Sequence, residues 1–395
     1  MAITDKEQGV WELDEAYNKQ MAGYWSYTAD RQLWAWGRNH LGQLGQNSIN
    51  TPSNSGLSSP VQVMGSGWTS AWSSGAHIMG TKEDGTAWAI GSNNMGNLGT
   101  GAPTPTCVSS PVQMPGTWSS VEGSAGDGGI NAAVNTDGEL FMWGYNGYGN
   151  LGHNNTTNVF SPVQLPGTWA TGHNKTGVSG YNSLAIKEDG TLWSWGYNYG
   201  GSLGIEIPTG QKRSSPVQVG TGTDWDKVGN LYQASWAIKT DGTLWGFGYG
   251  SYGALGQNNT DNYSSPKQVP GTTWKYITSM DDSSCAVKTD GTLWSWGRNA
   301  NGQLGLNNTT DYSSPKQIPG TNWSTVSSTW ASVVATKTDG TLWSWGHGYY
   351  GMLGLNTGGP TVRYSSPTQI GTATDWDNSL NIGYMGTQGL ALKAI

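Results

Sequence analysis

The sequence predicts an all-β protein, a seven-bladed β-propeller, and three observations carry the prediction. The phrase D-G-T-L-W-S-W-G or a looser copy occurs seven times, closing on Gly37, Gly91, Gly144, Gly196, Gly248, Gly297 and Gly346. Those glycines are spaced by 54, 53, 52, 52, 49 and 49 residues, and a self-similar period near 50 marks stacked or radially arranged units, not one ordinary core. Within each unit apolar residues alternate at period two and lack the three-and-four spacing of helical solenoids. Three to four short strands per unit, seven times over, give a propeller.

Each unit has four parts. The first is a short apolar strand ending in a basic residue, as in Ala185-Ile186-Lys187, Ala237-Ile238-Lys239 and Ala286-Val287-Lys288. The Asp-Gly pair that follows predicts a tight hairpin, in a type I′ turn with positive φ at both central residues. Next comes a strand such as Thr191-Leu192-Trp193-Ser194-Trp195, whose side chains alternate between two faces. The third part is a glycine loop, N-x-x-G-x-L-G, as in Asn299, Gly302 and Gly305; Gly250 and Gly348 replace the asparagine in two copies. Glycine there supplies left-handed backbone and close approach between neighbours. A phosphate cradle is a poor reading of the same loop, which lacks G-K-[ST] and a following helix and occurs seven times. The fourth part is S-S-P-V-Q-V and then a lone tryptophan; proline cannot donate to a ladder, so Pro60, Pro111, Pro162, Pro216, Pro266, Pro315 and Pro367 mark an outer edge strand. Leu390-Ala391-Leu392-Lys393 is a further copy of the first strand and stops before its hairpin. It is expected to close the ring by pairing with residues 32–36. An open β-solenoid would instead need distinct end caps.

The repeats fill residues 24–395 as one propeller domain, leaving residues 1–23 as an N-terminal attachment or capping segment with a short helix. Eighteen of the 23 tryptophans sit at repeat positions, so the aromatic excess is blade packing. Net charge is −7, from 19 basic and 26 acidic residues without a basic run, which argues against nucleic-acid binding. Cys107 and Cys285 occupy non-equivalent positions and are expected to be free, Cys285 buried. Met1-Ala2-Ile3-Thr4-Asp5 lacks the pattern of a signal peptide, and no run reaches membrane-spanning length. The expectation is a chain that is cytoplasmic or leaves its cell inside a particle released by lysis, without membrane insertion.

Catalytic chemistry is hard to place. His40, His77, His153, His173 and His347 are scattered and show no metal-ligand spacing. The hairpin aspartates are explained by their turns. The acidic pairs Asp224/Asp226, Asp281/Asp282 and Asp375/Asp377 lie in loops and read as solvated charges, with calcium contacts as the alternative. No Ser-His-Asp arrangement can be picked out. The expectation is a non-enzyme with no metal and no cofactor.

The combination D-G-x-L-[WY]-x-W-G-x-N-x-x-G-Q-L-G followed by S-S-P-x-Q-V resembles the regulator of chromosome condensation repeat family, most closely at Arg298-Asn299-Ala300-Asn301-Gly302-Gln303-Leu304-Gly305. The resemblance covers roughly residues 24–395 and implies a ring closed by strands from both ends. Its members include guanine-nucleotide exchange factors, a plant ultraviolet-B photoreceptor, ubiquitin-ligase modules and a secreted β-lactamase inhibitor. This chain lacks a basic tail and G-W-R-H-T motifs, and keeps only a Gly75-Ala76-His77 remnant of the family's G-x-x-H pattern. A second resemblance is local. Gly9-Val10-Trp11-Glu12-Leu13-Asp14-Glu15-Ala16-Tyr17 is similar to a stretch of bacteriophage virion and tail-fibre proteins, which implies an attachment peptide carrying Trp11, Leu13, Tyr17 and Met21.

The residues that break the repeat are the candidates for function. Tyrosines follow W-G or sit in the glycine loop: Tyr145, Tyr148, Tyr197, Tyr199, Tyr249, Tyr252, Tyr349 and Tyr350. With the Asn/Thr tracts at 154–158, 258–262 and 307–311 they suit protein or carbohydrate recognition, or pack over the neighbouring blade. Together these features point to a non-catalytic virion structural protein of a bacteriophage, a tail, fibre or capsid-surface component bound to other virion proteins and to a host surface glycan or receptor. The alternatives are a regulatory protein-interaction propeller, such as an exchange-factor-like module, and a propeller-type enzyme inhibitor.

Overall fold

The computed structural model describes residues 31–50, 56–101, 106–123, 129–172, 174–230, 233–280, 282–377, 382–384 and 386–394. They form seven antiparallel sheets arranged as the blades of a ring. Blade 6 is typical: its strands Trp274–Met280, Ser283–Lys288, Leu293–Gly297 and Tyr312–Ile318 pair in chain order. The first strand of each blade packs against the first strands of its neighbours and so lies innermost, while the S-S-P strand is outermost, where proline's missing N–H costs nothing.

Blade 1 closes the ring. Its strand Arg31–Arg38 pairs with Gly56–Gln62 on one side and with Gln388–Ala394 on the other, in the register Leu33↔Leu392 and Trp36↔Gly389. The expected pairing of the C-terminal strand is therefore present. Ile382–Tyr384 joins the neighbouring sheet, running parallel to Trp68–Ser73.

The Asp-Gly hairpin departs from expectation. Only its glycine has positive φ (Gly190 at 78°); the aspartate does not. Gly190 N–H donates to Lys187 O (2.9 Å) and Lys187 N–H to Thr191 O (2.9 Å), so the loop has three residues, a type I turn followed by a left-handed glycine. The aspartate has a different task. Asp189 Oδ1 accepts from Thr191 N–H (3.0 Å) and Thr191 Oγ–H (2.6 Å), and Thr191 Oγ accepts from Trp193 Nε1–H (2.8 Å). The same relay recurs at Asp84, Asp241, Asp290 and Asp339. These bonds from threonine hold each aspartate below its ordinary pKa. The basic residue that ends the second strand then lies between two tryptophans: Lys187 Nζ is 3.8 Å from the Trp193 ring centre and 5.5 Å from that of Trp169. Lys82, Lys239, Lys288, Lys337 and Lys393 occupy equivalent cages.

Blades are joined by three repeated contacts. The second tryptophan of W-x-W-G reaches into the preceding blade, where its Nε1–H donates to a glycine-loop carbonyl: Trp36 to Met352 (2.8 Å), Trp143 to Asn97 (3.1 Å), Trp195 to Asn150 (2.9 Å), Trp296 to Ala254 (2.8 Å) and Trp345 to Gln303 (3.0 Å). The glycine loop also lies against the outer strand of the next blade. A Cβ on Gly302, which has φ 74°, would stand 2.7 Å from Ser365 Cα. Two residues past the loop's last glycine, Asn307 at φ 58° donates its N–H to Ser365 O (2.7 Å) and accepts from Ser366 Oγ–H (3.1 Å). Equivalent pairs at Asn47, Asn154 and Asn356 explain why the outer strand begins Ser-Ser.

Trp345→Phe removes one such indole donor and leaves the Gln303 carbonyl without its partner. It is expected to cost about 2 kcal/mol in urea-induced unfolding. Gly302→Ala should destabilise clearly more than Gly371→Ala, because both glycines have positive φ but only Gly302 has a neighbour within contact distance; equal losses of Tm would refute the close-approach explanation.

Candidate functional site

The residue after each W-x-W-G glycine lies on one face of the ring. Its N–H is held by the carbonyl just before the second strand, as in Tyr197 to Tyr181 (2.8 Å), Tyr249 to Gln233 (2.8 Å) and Arg298 to Asp282 (2.9 Å). The glycine loops rise beside these positions. The bolted blades beneath therefore fix where every aromatic ring stands.

Five of the eight candidate tyrosines come together. Tyr145, Tyr148, Tyr197, Tyr199 and Tyr249 form a continuous arc over blades 3, 4 and 5, with successive ring centres 5.9, 5.2, 6.5 and 5.6 Å apart. A sixth ring, Tyr181, packs against Tyr148, Tyr197 and Tyr199. Burial, then the neighbouring phenols Tyr148, Tyr199 and Tyr197, raise its pKa. Sequence reasoning missed Tyr181 because it lies in the turn before a second strand, outside the loop pattern. Lys212 adds a cation to the arc, its Nζ 4.9 Å from the Tyr148 ring centre and donating to Gly147 O (3.2 Å).

The other three candidates are elsewhere. Tyr252 is 45% exposed and lies under the Arg298 guanidinium at 5.1 Å. Tyr349 and Tyr350 join a second row with Trp330, His347 and Arg38. Trp330 is 41% exposed and stands outside the repeat pattern. Tyr252 and Tyr350 adopt φ of 56° and 57° in the two loops where glycine replaces the bracing asparagine. Trp11, Leu13, Tyr17 and Met21 lie outside the described residues.

Several residues of the Asn/Thr tracts hold the loops in place. Asn154, Asn258 and Asn307 bond the next blade, and Asn158, Asn262 and Asp311 accept the N–H groups of Asn146, Gly250 and Asn299. The loop acidic residues are likewise not simply solvated: Asp224 pairs with Lys239, Asp226 with Lys175 and Lys227, Asp282 with Arg298, Asp375 with Lys393 and Asp377 with Arg31. Asp281 and His173 lie outside the described residues. Both cysteines are free, and burial raises the Cys285 thiol pKa.

Two arrangements resemble catalytic ones. Ser74 Oγ lies 2.7 Å from His77 Nδ1, and His77 Nε2 lies 2.8 Å from Asn131 Oδ1. All three residues are fully buried, and Ser74 Oγ accepts from the N–H groups of Ala76 and His77. Ser179/Asn182 and Thr329/Ser332 fasten the same turn in other blades, so the set is a turn brace. Glu122, on the inner strand Trp118–Gly123, is partly buried in a recess shared with Ser120, Thr176 and Leu140. Burial pushes its carboxyl up to about 8, against one hydrogen bond from Asn174 N–H. Among the described residues no histidine or second carboxylate lines that recess. Among the described residues no group of three or more His, Cys, Asp or Glu could hold a metal. A groove of about 350 Å³ lined by Ile205, Ile207, Arg213 and Val217 lies on the outer rim between blades 4 and 5.

The sequence pattern of the Regulator of chromosome condensation (RCC1) repeat matches residues 30–79, 137–176, 241–287, 290–335 and 339–376, more than half the chain. The chain belongs to that family. Its relatives include the human E3 ubiquitin-protein ligase HERC2, 29% identical over 61% of this chain and 5% of the ligase, and the Ultraviolet-B receptor UVR8 of Arabidopsis thaliana, 25% identical over 60% of this chain and 53% of the receptor. The chain thus spans a small part of the first and about half of the second. Among solved structures, yeast RCC1 (Prp20), bound to Kap60, superposes with a TM-score of 0.79 at 18% identity, covering 100% of this chain and 96% of that one. Human WBSCR16 superposes with a TM-score of 0.77 at 18% identity, over 92% and 100% of the two chains. At such identities these structures speak for the fold alone.

The Glu122 carboxyl is raised in the folded chain from an ordinary value of 4.5 to about 8. Its contribution is therefore intact below pH 4.5, is lost as pH rises to about 8, and changes no further above that. Glu122→Gln is expected to raise Tm above pH 8 and to leave it unchanged near pH 4; a pH-independent difference would refute the burial of this carboxyl.

Proposed function

We propose that this chain is a non-catalytic interaction module that docks a regulatory protein partner on its loop face. The carrying observation is the tyrosine arc, six rings in contact across three blades and set on a rigid, bolted ring. Tyrosine offers large contact area with two side-chain torsions and a polar tip, so it binds at low entropic cost. Several family relatives are named for work that involves partners. One solved relative is described as bound to Kap60, and the yeast protein Prp20p is described by its binding to Gsp1p and histones. Those names belong to those proteins; for this chain they support the class of function and not the partner. The buried Ser74/His77/Asn131 set, which braces a turn, supports the non-catalytic part of the reading.

A tagged chain carrying Tyr148→Ala and Tyr199→Ala should lose, by about tenfold, a stoichiometric protein that co-purifies with the unaltered chain and with a Trp330→Ala control. Equal recovery by all three chains would sink the reading. If the partner is a small GTPase, the unaltered chain should also speed release of its bound guanine nucleotide.

The virion setting remains a proposal supported by residues 9–17 alone. In that setting the partner is another virion protein, or a host receptor or surface glycan, and the chain is found in purified phage particles by mass spectrometry. Its absence from them would favour the cytoplasmic alternative.

A further inference from the structure

We propose that Lys175, Lys227 and Lys275, on the innermost strands of blades 4 to 6, form a site for a phosphate group on the hairpin side of the ring. The site lies away from the tyrosine arc and does not depend on the loop-face reading. Its placement follows from strand register. Each innermost strand has a position opposite the residue that precedes the strand-ending basic residue. In blade 5 it is Lys227, opposite Ile238, and in blade 6 Tyr276, opposite Val287. Lys175 takes it in blade 4, where its carbonyl accepts from Ile186 N–H (2.9 Å). Blades 2, 3 and 7 have Ser70, Ser120 and Thr325 there. Among the described residues, charge at this position is therefore confined to blades 4 and 5.

The side chains form one connected cluster. Lys175 Nζ donates to Asp226 Oδ1 (2.7 Å) and Asp226 O (2.6 Å), and Lys227 Nζ donates to Asp226 Oδ2 (2.6 Å). Lys227 Nζ and Lys275 Nζ stand 5.7 and 5.0 Å from the Tyr276 ring centre. Three ammoniums meet one carboxylate, so two positive charges are left over in a chain whose net charge is −7. Burial alone would raise the Asp226 carboxyl, but the bonds from Lys175 and Lys227 outweigh it and hold it below its ordinary range. Burial, then the Asp226 charge, raise the Tyr276 phenol, which keeps its proton and is a further donor. The Lys175 and Lys227 side chains remain 23% and 26% exposed, so the cluster opens to solvent.

The chemistry selects the ligand. A phosphate group carries about −1.5 to −2 at neutral pH, which matches the surplus charge. Ammoniums are point charges with three donors each and suit its tetrahedral oxygens, whereas a carboxylate is matched best by the planar fork of arginine. Neighbouring acids leave the surplus in place: Asp224 is paired with Lys239, and Glu122, which accepts from Asn174 N–H beside Lys175, is held mostly protonated at neutral pH by burial. Farther from the axis stand the hairpin carboxylates Asp241 and Asp290. An extended polyanion would run into them, whereas a single phosphate group stays within the lysines.

The test is isothermal titration calorimetry of the full chain with inorganic phosphate and, at equal ionic strength, acetate. Phosphate is expected to bind saturably at one site and acetate not. Lys227→Gln/Lys275→Gln should weaken phosphate binding about tenfold. Lys267→Gln/Lys316→Gln, an equal loss of charge on exposed outer-strand positions, should leave it unchanged. Asp226→Asn, which removes the competing carboxylate, should tighten it about threefold, a gain that a purely structural ion pair does not give. Lys275→Gln alone breaks no ion pair among the described residues and keeps the test decisive if the double variant misfolds. Absence of saturable phosphate binding, or binding that Lys275→Gln and Asp226→Asn both leave unchanged, overturns the proposal. A blocked phosphoserine peptide and glucose 6-phosphate then distinguish the source: tighter binding of the first assigns the group to a partner's side chain, and of the second to a small metabolite.

Discussion

The ring depends on the contact between each glycine loop and the blade after it. There a buried indole N–H meets a loop carbonyl while the loop backbone lies against a serine backbone, with no room for a side chain between. The two demands reinforce each other. Glycine lets the loop come close enough for the indole to reach, and the indole satisfies a buried loop carbonyl, shared with Asn131, Ser183 or Ser284 at three of the joints. The joint is made of sequence-distant groups, 42 to 46 residues apart at four interfaces. Before Phe247 the indole is missing, and Ser235 Oγ–H and Asn182 Nδ2–H donate to the Ser202 carbonyl.

Much of this was legible in the sequence. The period gave the blade count, proline gave the outer edge, and the surplus C-terminal strand gave the closure. What was not legible was tertiary. The pair Asp189-Gly190 matches two turn types, and the choice was made by Lys187 and Thr191, which bond across a three-residue loop. The bonds of Asn154, Asn258 and Asn307 were hidden because their partners belong to the next blade. Tyr181 and Trp330 carry no motif, and their place beside the loop tyrosines and His347 follows only once the strands are paired. The acidic pairs read as solvated because, Lys227 apart, the lysines and arginines that bind them come from elsewhere in the chain.

Blade 3 carries a different rim. Asn135, Glu139 and Phe141 stand where blade 2 and blades 4 to 7 have lysine, threonine and tryptophan, while blade 1 keeps the lysine cage with Gln32 in place of the threonine. The Lys–Trp cage and the Asp–Thr–Trp relay are absent together, and Asn135 instead bonds Glu139 (2.8 Å) while Phe141 packs edge-on against Trp118 (5.3 Å). A cation caged by two indoles has no use for a blade lacking one of them. The tyrosine arc is built on the loop side of blades 3 to 5, so its rings do not depend on which of the two rim chemistries lies beneath.

The seam in blade 1 has a kinetic meaning. The joint between Trp36 and the Met352 carbonyl links groups 316 residues apart, where the other four indole joints link groups 42 to 46 residues apart. Because closure entropy grows only with the logarithm of loop length, that separation adds about 2 kcal/mol at most, and less once the intervening blades are folded. The seam is thus nearly as stable as the other joints, but it cannot form until the last strand arrives. Folding of this ring should end at blade 1, and an open arc of six blades is the species most exposed to pairing with the wrong chain.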